Sequence, residues 1–126
     1  EQDEGQVWEA AMAASHHSVD RLVALVDRNG IQNDDFTSST MSSEPLDEKY
    51  QAFGWAVRSD VDGHNVDAIE EALQWARDVR DRPACVIFDT VKGKGVSFME
   101  DDNNWHYKIP SEEELVAAHK ELGIVK

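Results

Sequence analysis

Two short unbroken apolar runs, LVALV at 22–26 and ACVIF at 84–88, constrain the fold of this chain more than any other feature. Five consecutive apolar residues mark a short strand buried on both faces, as in a parallel sheet. Around these runs the apolar residues change period. Val7, Trp8, Ala11, Met12 and Ala14 recur at helical spacing within 4–18, in an alanine-rich background of high helix propensity. Val66, Ile69, Ala72, Leu73 and Ala76 do the same within 65–79, where Asn65 is placed to cap the helix and Asp67 sits in its first turn. Pro45 suits the first turn of a helix through LDEKYQAF that Gly54 ends, and WAVRSD at 55–60 reads as a further strand. Pro83 marks the exit from the 65–79 helix. SEEE at 111–114 is a capping box for a last helix. The polar, aperiodic stretch QNDDFTSSTMSS at 32–43 reads as a surface loop.

The predicted order is therefore helix, strand, helix, strand, helix, strand, helix. Strands alternating with helices imply right-handed crossovers and an α/β fold, an open parallel sheet with helices on both faces. A crossover joins two parallel strands, so an initial helix is expected to return from a strand that precedes it. Residues 1–126 are accordingly expected to form one partial α/β domain.

Charge narrows the choice of partners. Lys and Arg number 12 against 26 Asp and Glu, a formal charge of −14, which repels nucleic acid phosphates and anionic membranes over much of the surface. No stretch approaches the ~18 apolar residues of a membrane span, and the first residues do not form a signal peptide. The single cysteine, Cys85, lies inside an apolar run with no cation flanking it. It reads as a core thiol in a reducing compartment, so the expected location is cytoplasmic, with neither nucleic acid nor membrane as partner.

Ligands of open α/β sheets gather outside the carboxyl ends of strands. After the first strand comes DRNGI. The amide oxygen of Asn29 is a hard neutral donor suited to magnesium or calcium, and Gly30 lets the backbone turn so that the next carbonyl joins it. An Asn-Gly pair alone is nevertheless more often a turn than a ligand. After the last strand comes KGKGVSFMEDDNNWHYKIP, where Gly93 and Gly95 permit close backbone approach and His106 is placed to contact a phosphate. Taken singly, a loop histidine is more often solvated, as are Asp101 and Asp102. Neither the phosphate loop nor the dinucleotide fingerprint is present, and His16, His17, His64 and His119 form no zinc pattern.

The runs EGQVWEAAMAASHH, LVALVDRNGIQ, YQAFGWAV, VDGHNVDAI and TVKGKGVSFMEDDNNWH, in that order, closely resemble the thiamine-diphosphate-binding domain of transketolases. They also resemble the separate amino-terminal subunit of split transketolases. The resemblance covers nearly the whole chain, and KGKGVSFME followed by WH is its most specific portion. It points to transketolase more than to deoxyxylulose-phosphate synthase or pyruvate dehydrogenase, which stay as alternatives.

The resemblance implies two-carbon ketol transfer between sugar phosphates, with thiamine diphosphate supplying the carbanion chemistry and Mg2+, or Ca2+ in its place, bridging the diphosphate. In that family a Gly-Asp-Gly triplet supplies the metal's aspartate, an asparagine ending the next strand adds an amide oxygen, and a carbonyl two residues later completes the set. Asn29 and Ile31 match the last two positions. The triplet is expected to precede Glu1. His106 matches a histidine that contacts the diphosphate and the substrate, and Tyr107 stands where the family usually has glycine. Glu4 matches an acidic residue near the dimer interface, in a carboxylate network that supports cofactor activation; read locally, it is a favourable charge in a helix's first turn.

A complete site would need a partner chain carrying the aminopyrimidine-binding domain. The isolated 126 residues are therefore expected to be inactive and to form a homo-oligomer, because an unpaired strand edge invites self-pairing. A binding or assembly module that has lost the cofactor is the alternative from outside enzymology.

Overall fold

The computed structural model describes residues 1–124. Along the chain lie α1 (Gly5–His16), β1 (Val23–Arg28), α2 (Thr37–Thr40), α3 (Leu46–Ala52), β2 (Ala56–Asp62), α4 (Val66–Asp78), β3 (Ala84–Asp89), a 3-10 turn (Asn103–His106) and α5 (Glu112–Glu121). These form two compact units. One, the sheet unit, contains residues 1–28 and 41–90; the other contains residues 29–40 and those from 91 onward.

In the sheet unit the three strands are parallel and ordered β1-β3-β2, with Val23 and Ala56 both in register with Ala84. The central strand β3 is the most deeply buried of the three. Cys85 and Ile87 face one way, into a core with Val26, Ala11 and Ala14 of α1 and Leu46 and Tyr50 of α3. Ala84 and Val86 face the other way, against Ala72 and Ala76 of α4. Helices thus cover both faces, as the alternation of elements implies. Burial alone pushes the Cys85 thiol up to about 12, in keeping with a core side chain.

The two apolar runs have different fates. That of β3 is buried on both faces, whereas in β1 only Val26 is buried and Leu25 is 56% exposed. The expectation of a doubly buried β1 is corrected because β1 is an edge strand, and strand order is set by contacts far apart in sequence.

Alanines bring α1 close to its neighbours. The indole N–H of Trp55 donates to the Ala11 carbonyl at 2.9 Å, and Trp8 packs on Tyr50 and Phe53 with ring centroids 5.4 and 6.1 Å away. Gly54 follows α3 at φ +89°, and a Cβ there would sit 2.7 Å from the Ser15 hydroxyl, so both its conformation and its small size are required.

Element ends depart from expectation in local ways. Glu4 and Pro45 adopt extended backbone as N-caps, so α1 starts at Gly5 and α3 at Leu46. The loop 32–43 holds the single turn α2. β2 starts one residue later than read and runs on to Asp62, past a register shift between Arg58 and Val61 where Asp60 takes φ 57°. The caps hold as expected: Asn65 Oδ1 accepts from the Asp67 and Ala68 amides at 3.0 and 3.2 Å, and Ser111 with Glu114 closes the capping box of α5.

Arg28 ties the strand ends together. Its Nε donates to Asp89 of β3 at 2.6 Å and its Nη2 to Asp60 of β2 at 2.8 Å, with Glu44 at 3.9 Å. The bond to Asp89 raises the affinity of the guanidinium for its proton, against the opposing effect of burial.

Candidate functional site

The chain leaves β1 through Asn29. Its side-chain Oδ1 accepts the Ile31 N–H at 3.0 Å, closing a turn around Gly30 at φ 72°. This is the local conformation that asparagine followed by glycine favours, because a short amide can mimic a backbone carbonyl. Beyond it Ile31 is buried and stands opposite Phe36 in an antiparallel bridge. The bonds of that bridge run from Thr37 N–H to the Gly30 carbonyl, 2.9 Å, and from Gln32 N–H to the Asp35 carbonyl, 3.0 Å. They flank Ile31 instead of using it. With its N–H taken by Asn29, the Ile31 carbonyl accepts no hydrogen bond among the described residues.

The second segment follows β3. Gly93 at φ 76° lets the loop fold back on itself: a Cβ there would lie 2.5 Å from the Met99 carbonyl oxygen. Asp101 N–H closes the loop on the Lys92 carbonyl at 3.0 Å. Asp102, expected to be a solvated charge, instead caps the 3-10 turn by accepting from the Asn104 amide at 2.9 Å. Trp105 anchors the same turn. Its indole N–H donates to the Phe98 carbonyl at 2.8 Å, its ring packs on Phe98, and Lys108 Nζ lies over it at 4.1 Å. Lys108 also pairs with Glu114 of α5 at 2.6 Å, which holds that carboxylate below the ordinary glutamate range. The turn so fixed ends at His106, which is exposed and meets the Tyr107 ring edge-on at 4.5 Å.

Asn33 joins the two segments. Asn103 Nδ2 donates to its backbone carbonyl at 3.2 Å, and the Tyr107 hydroxyl donates to its side-chain oxygen. Asn29, Ile31 and His106 therefore belong to one unit whose two stretches of chain are bonded together. Glu4 belongs to the sheet unit, exposed at the start of α1, where its side chain makes no cap. Its place as N-cap, not first-turn residue, corrects the local reading of that position.

Asn33, Asn103 and Gln32 were not singled out from the sequence. Their local signal is only that of polar loop residues; Asn33 and Asn103 acquire their importance by pairing across 70 positions, and Gln32 by the burial of its side-chain amide. Two buried polar atoms here have no partner among the described residues, the Gln32 Nε2 donor and the Asn103 Oδ1 acceptor. Such atoms cost about 1–3 kcal/mol each unless something satisfies them, which is common where a polar ligand or water is received.

The donor set fits a hard cation in part. The Asn29 amide oxygen retains a lone pair beyond its bond to Ile31, and the Ile31 carbonyl is unclaimed; both are the neutral oxygens that magnesium and calcium accept. Among the described residues no group of three or more His, Cys, Asp or Glu is arranged to hold an ion. Carboxylate, phosphate or water oxygens would have to complete the coordination.

A three-stranded parallel sheet with helices on both faces places the sheet unit in the α/β class. Residues 2–126 match the family described as transketolase, thiamine diphosphate binding domain, and the chain belongs to that family. It is 43% identical over 122 residues to the 6-deoxy-6-sulfo-D-fructose transketolase subunit SqwG of Clostridium sp. (strain MSTE9), covering 97% of this chain and 44% of that protein. It is 38% identical over 126 residues to an apulose-4-phosphate transketolase subunit of Phocaeicola vulgatus, covering 98% and 43%. The chain thus spans less than half the length of these curated relatives. The crystal structure of Campylobacter jejuni transketolase superposes with a TM-score of 0.87 at 27% identity, over 95% of this chain and 18% of that one. Leishmania mexicana transketolase does so with 0.87 at 26%, over 95% and 18%. No helix among the described residues is long and apolar enough to cross a membrane.

Proposed function

We propose that this chain supplies the diphosphate-anchoring part of a transketolase that moves a two-carbon ketol unit between sugar phosphates. The observation that carries this reading is the Asn29–Ile31 turn, in which the Ile31 carbonyl is unclaimed and the Asn29 amide oxygen keeps a lone pair, in a family described as thiamine diphosphate binding. Thiamine diphosphate, when bound, supplies the carbanion that accepts and releases the ketol unit. Asn29 and Ile31 would hold Mg2+, or Ca2+ in its place, against the diphosphate. A divalent ion matters in a chain of formal charge −14, since the protein's own field disfavours a diphosphate.

His106 has an exposed ring on an anchored turn. In the proposed role it donates to the diphosphate or to a substrate oxygen, and holds or returns a proton there. Glu4 would act from the start of α1, positioning a neighbouring protomer's groups through a carboxylate network. The remaining parts of the site would come from a partner chain bearing the aminopyrimidine-binding domain, consistent with relatives whose names identify them as subunits. We place the complex in the cytoplasm, as an oligomer.

Calorimetric titration of thiamine diphosphate with magnesium tests the anchor, first on the chain and then on Asn29→Ala. Saturable binding that the substitution abolishes supports the reading. A folded protein that takes up no cofactor, even with its partner chain present, identifies a non-catalytic assembly module instead. With the complete enzyme, ketose phosphates should serve as donors; turnover of pyruvate alone would assign it to another thiamine diphosphate enzyme such as deoxyxylulose-phosphate synthase.

A further inference from the structure

The arginines of this chain divide into two groups. Arg28, Arg58 and Arg82 each pair with a carboxylate. Among the described residues Arg21, Arg77 and Arg80 make no ion pair, although the chain has 26 acidic side chains. All three line the same groove of the sheet unit, a cavity of about 340 Å³. Arg21 enters from the segment before β1, Arg77 from the last turn of α4, and Arg80 from just beyond it. Arg80 spends one N–H on the Val79 carbonyl at 3.2 Å, which leaves most of its guanidinium donors uncommitted.

The carboxyl end of a helix favours cations, and that accounts in part for Arg77 and Arg80. It does not account for Arg21, which comes from another segment, nor for three arginines without ion pairs lining one groove in so acidic a protein. One acidic residue, Asp20, shares the groove, so the lining has a formal surplus of two positive charges. That surplus matches a phosphate monoester dianion, and planar guanidinia recognise phosphate oxygens two at a time. Large polyanions are disfavoured by the net charge of −14 on the chain. The volume suits a small ligand, at the lower end of the roughly 300–1,000 Å³ of such sites.

We propose that the Arg21, Arg77 and Arg80 groove is a binding site for a small phosphate-bearing anion, separate from the Asn29 and His106 segments. It adjoins the amino end of β1, whereas Asn29 follows the carboxyl end. The site does not depend on the function proposed above.

The test is calorimetric titration of the complete encoded polypeptide with inorganic phosphate and, separately, glycerol 3-phosphate, in buffer containing EDTA and no thiamine diphosphate. Saturable binding is expected. Arg77→Gln combined with Arg80→Gln should weaken it about tenfold or more, since charge-assisted hydrogen bonds are lost. Asn29→Ala combined with His106→Ala should leave it unchanged. Tighter binding of the monoester identifies a phosphorylated metabolite as the ligand, and equal binding identifies free phosphate. Arg21→Gln, away from the helix end, provides a second variant should the double substitution unfold α4. No saturable heat from cooperatively melting protein, the same affinity in the folded arginine variants, or loss of binding in the Asn29 and His106 variant would each overturn the proposal.

Discussion

Position 107 shows what a single side chain can reveal. Beside His106 the resemblance calls for glycine, and from the sequence Tyr107 is only a departure from pattern. In the fold its hydroxyl donates to Asn33, the residue that also accepts from Asn103, so the tyrosine helps hold the histidine-bearing turn to the loop that begins at Asn29. Tyr107→Phe is expected to cost about 0.5–1.5 kcal/mol of stability, the net worth of one hydrogen bond. Under the proposed function it should also weaken cofactor binding without abolishing it; urea melts and titration of the variant measure both. An unchanged melt and unchanged binding would show that this contact contributes nothing. The turn at Asn29 was legible because asparagine before glycine has a distinctive local chemistry. Asn33 and Asn103 were not, because either residue acquires meaning only from the other.

Among the elements, helices were read more accurately than strands. Caps act within four residues, so Asn65 before α4 and Ser111 before α5 could be placed from sequence. Strand order depends on partners some 60 residues apart, and nothing in LVALV says that it will lie at an edge while ACVIF lies at the centre. The difference should be large in energy. Ile87→Ala, at a fully buried position, is expected to cost about 2–5 kcal/mol, whereas Leu25→Ala, half exposed, should remain within about 1 kcal/mol. Chemical denaturation of both variants decides, and equal losses would mean that β1 is covered in solution.

The attachment of α5 should depend on pH. Glu121 accepts from the backbone N–H of Ser97 at 2.5 Å and from its hydroxyl at 2.8 Å, and the first of these bonds is the main reason its carboxyl is held below the ordinary 4.5. A carboxyl depressed in the folded state stabilises above its unfolded pKa and loses that contribution as pH falls through the folded one. Glu121→Gln should therefore melt lower than the native protein at pH 7, and the gap should close as the pH drops below about 4.5. A gap independent of pH would show that the bond, not the charge, matters.

On the scale of the whole molecule, the charge was evident from composition and has a direct consequence. With −14 on the chain and few long-range ion pairs among the described residues to offset it, self-repulsion should fall as salt shortens the screening length from about 10 Å at 0.1 M to about 3 Å at 1 M. The melting temperature should rise with sodium chloride over that range; a fall would mean that pairs such as those of Arg28 outweigh repulsion. The division into two units could not be read, because each draws on separated stretches of sequence. The chain leaves the sheet unit after Arg28, rejoins it at Met41 and leaves again after Thr90. No contiguous stretch of the gene encodes the unit that carries Asn29 and His106. That unit cannot be transplanted as a cassette, and a single proteolytic nick between those two residues would leave its halves on separate polypeptides, held to each other by non-covalent bonds such as those of Asn33.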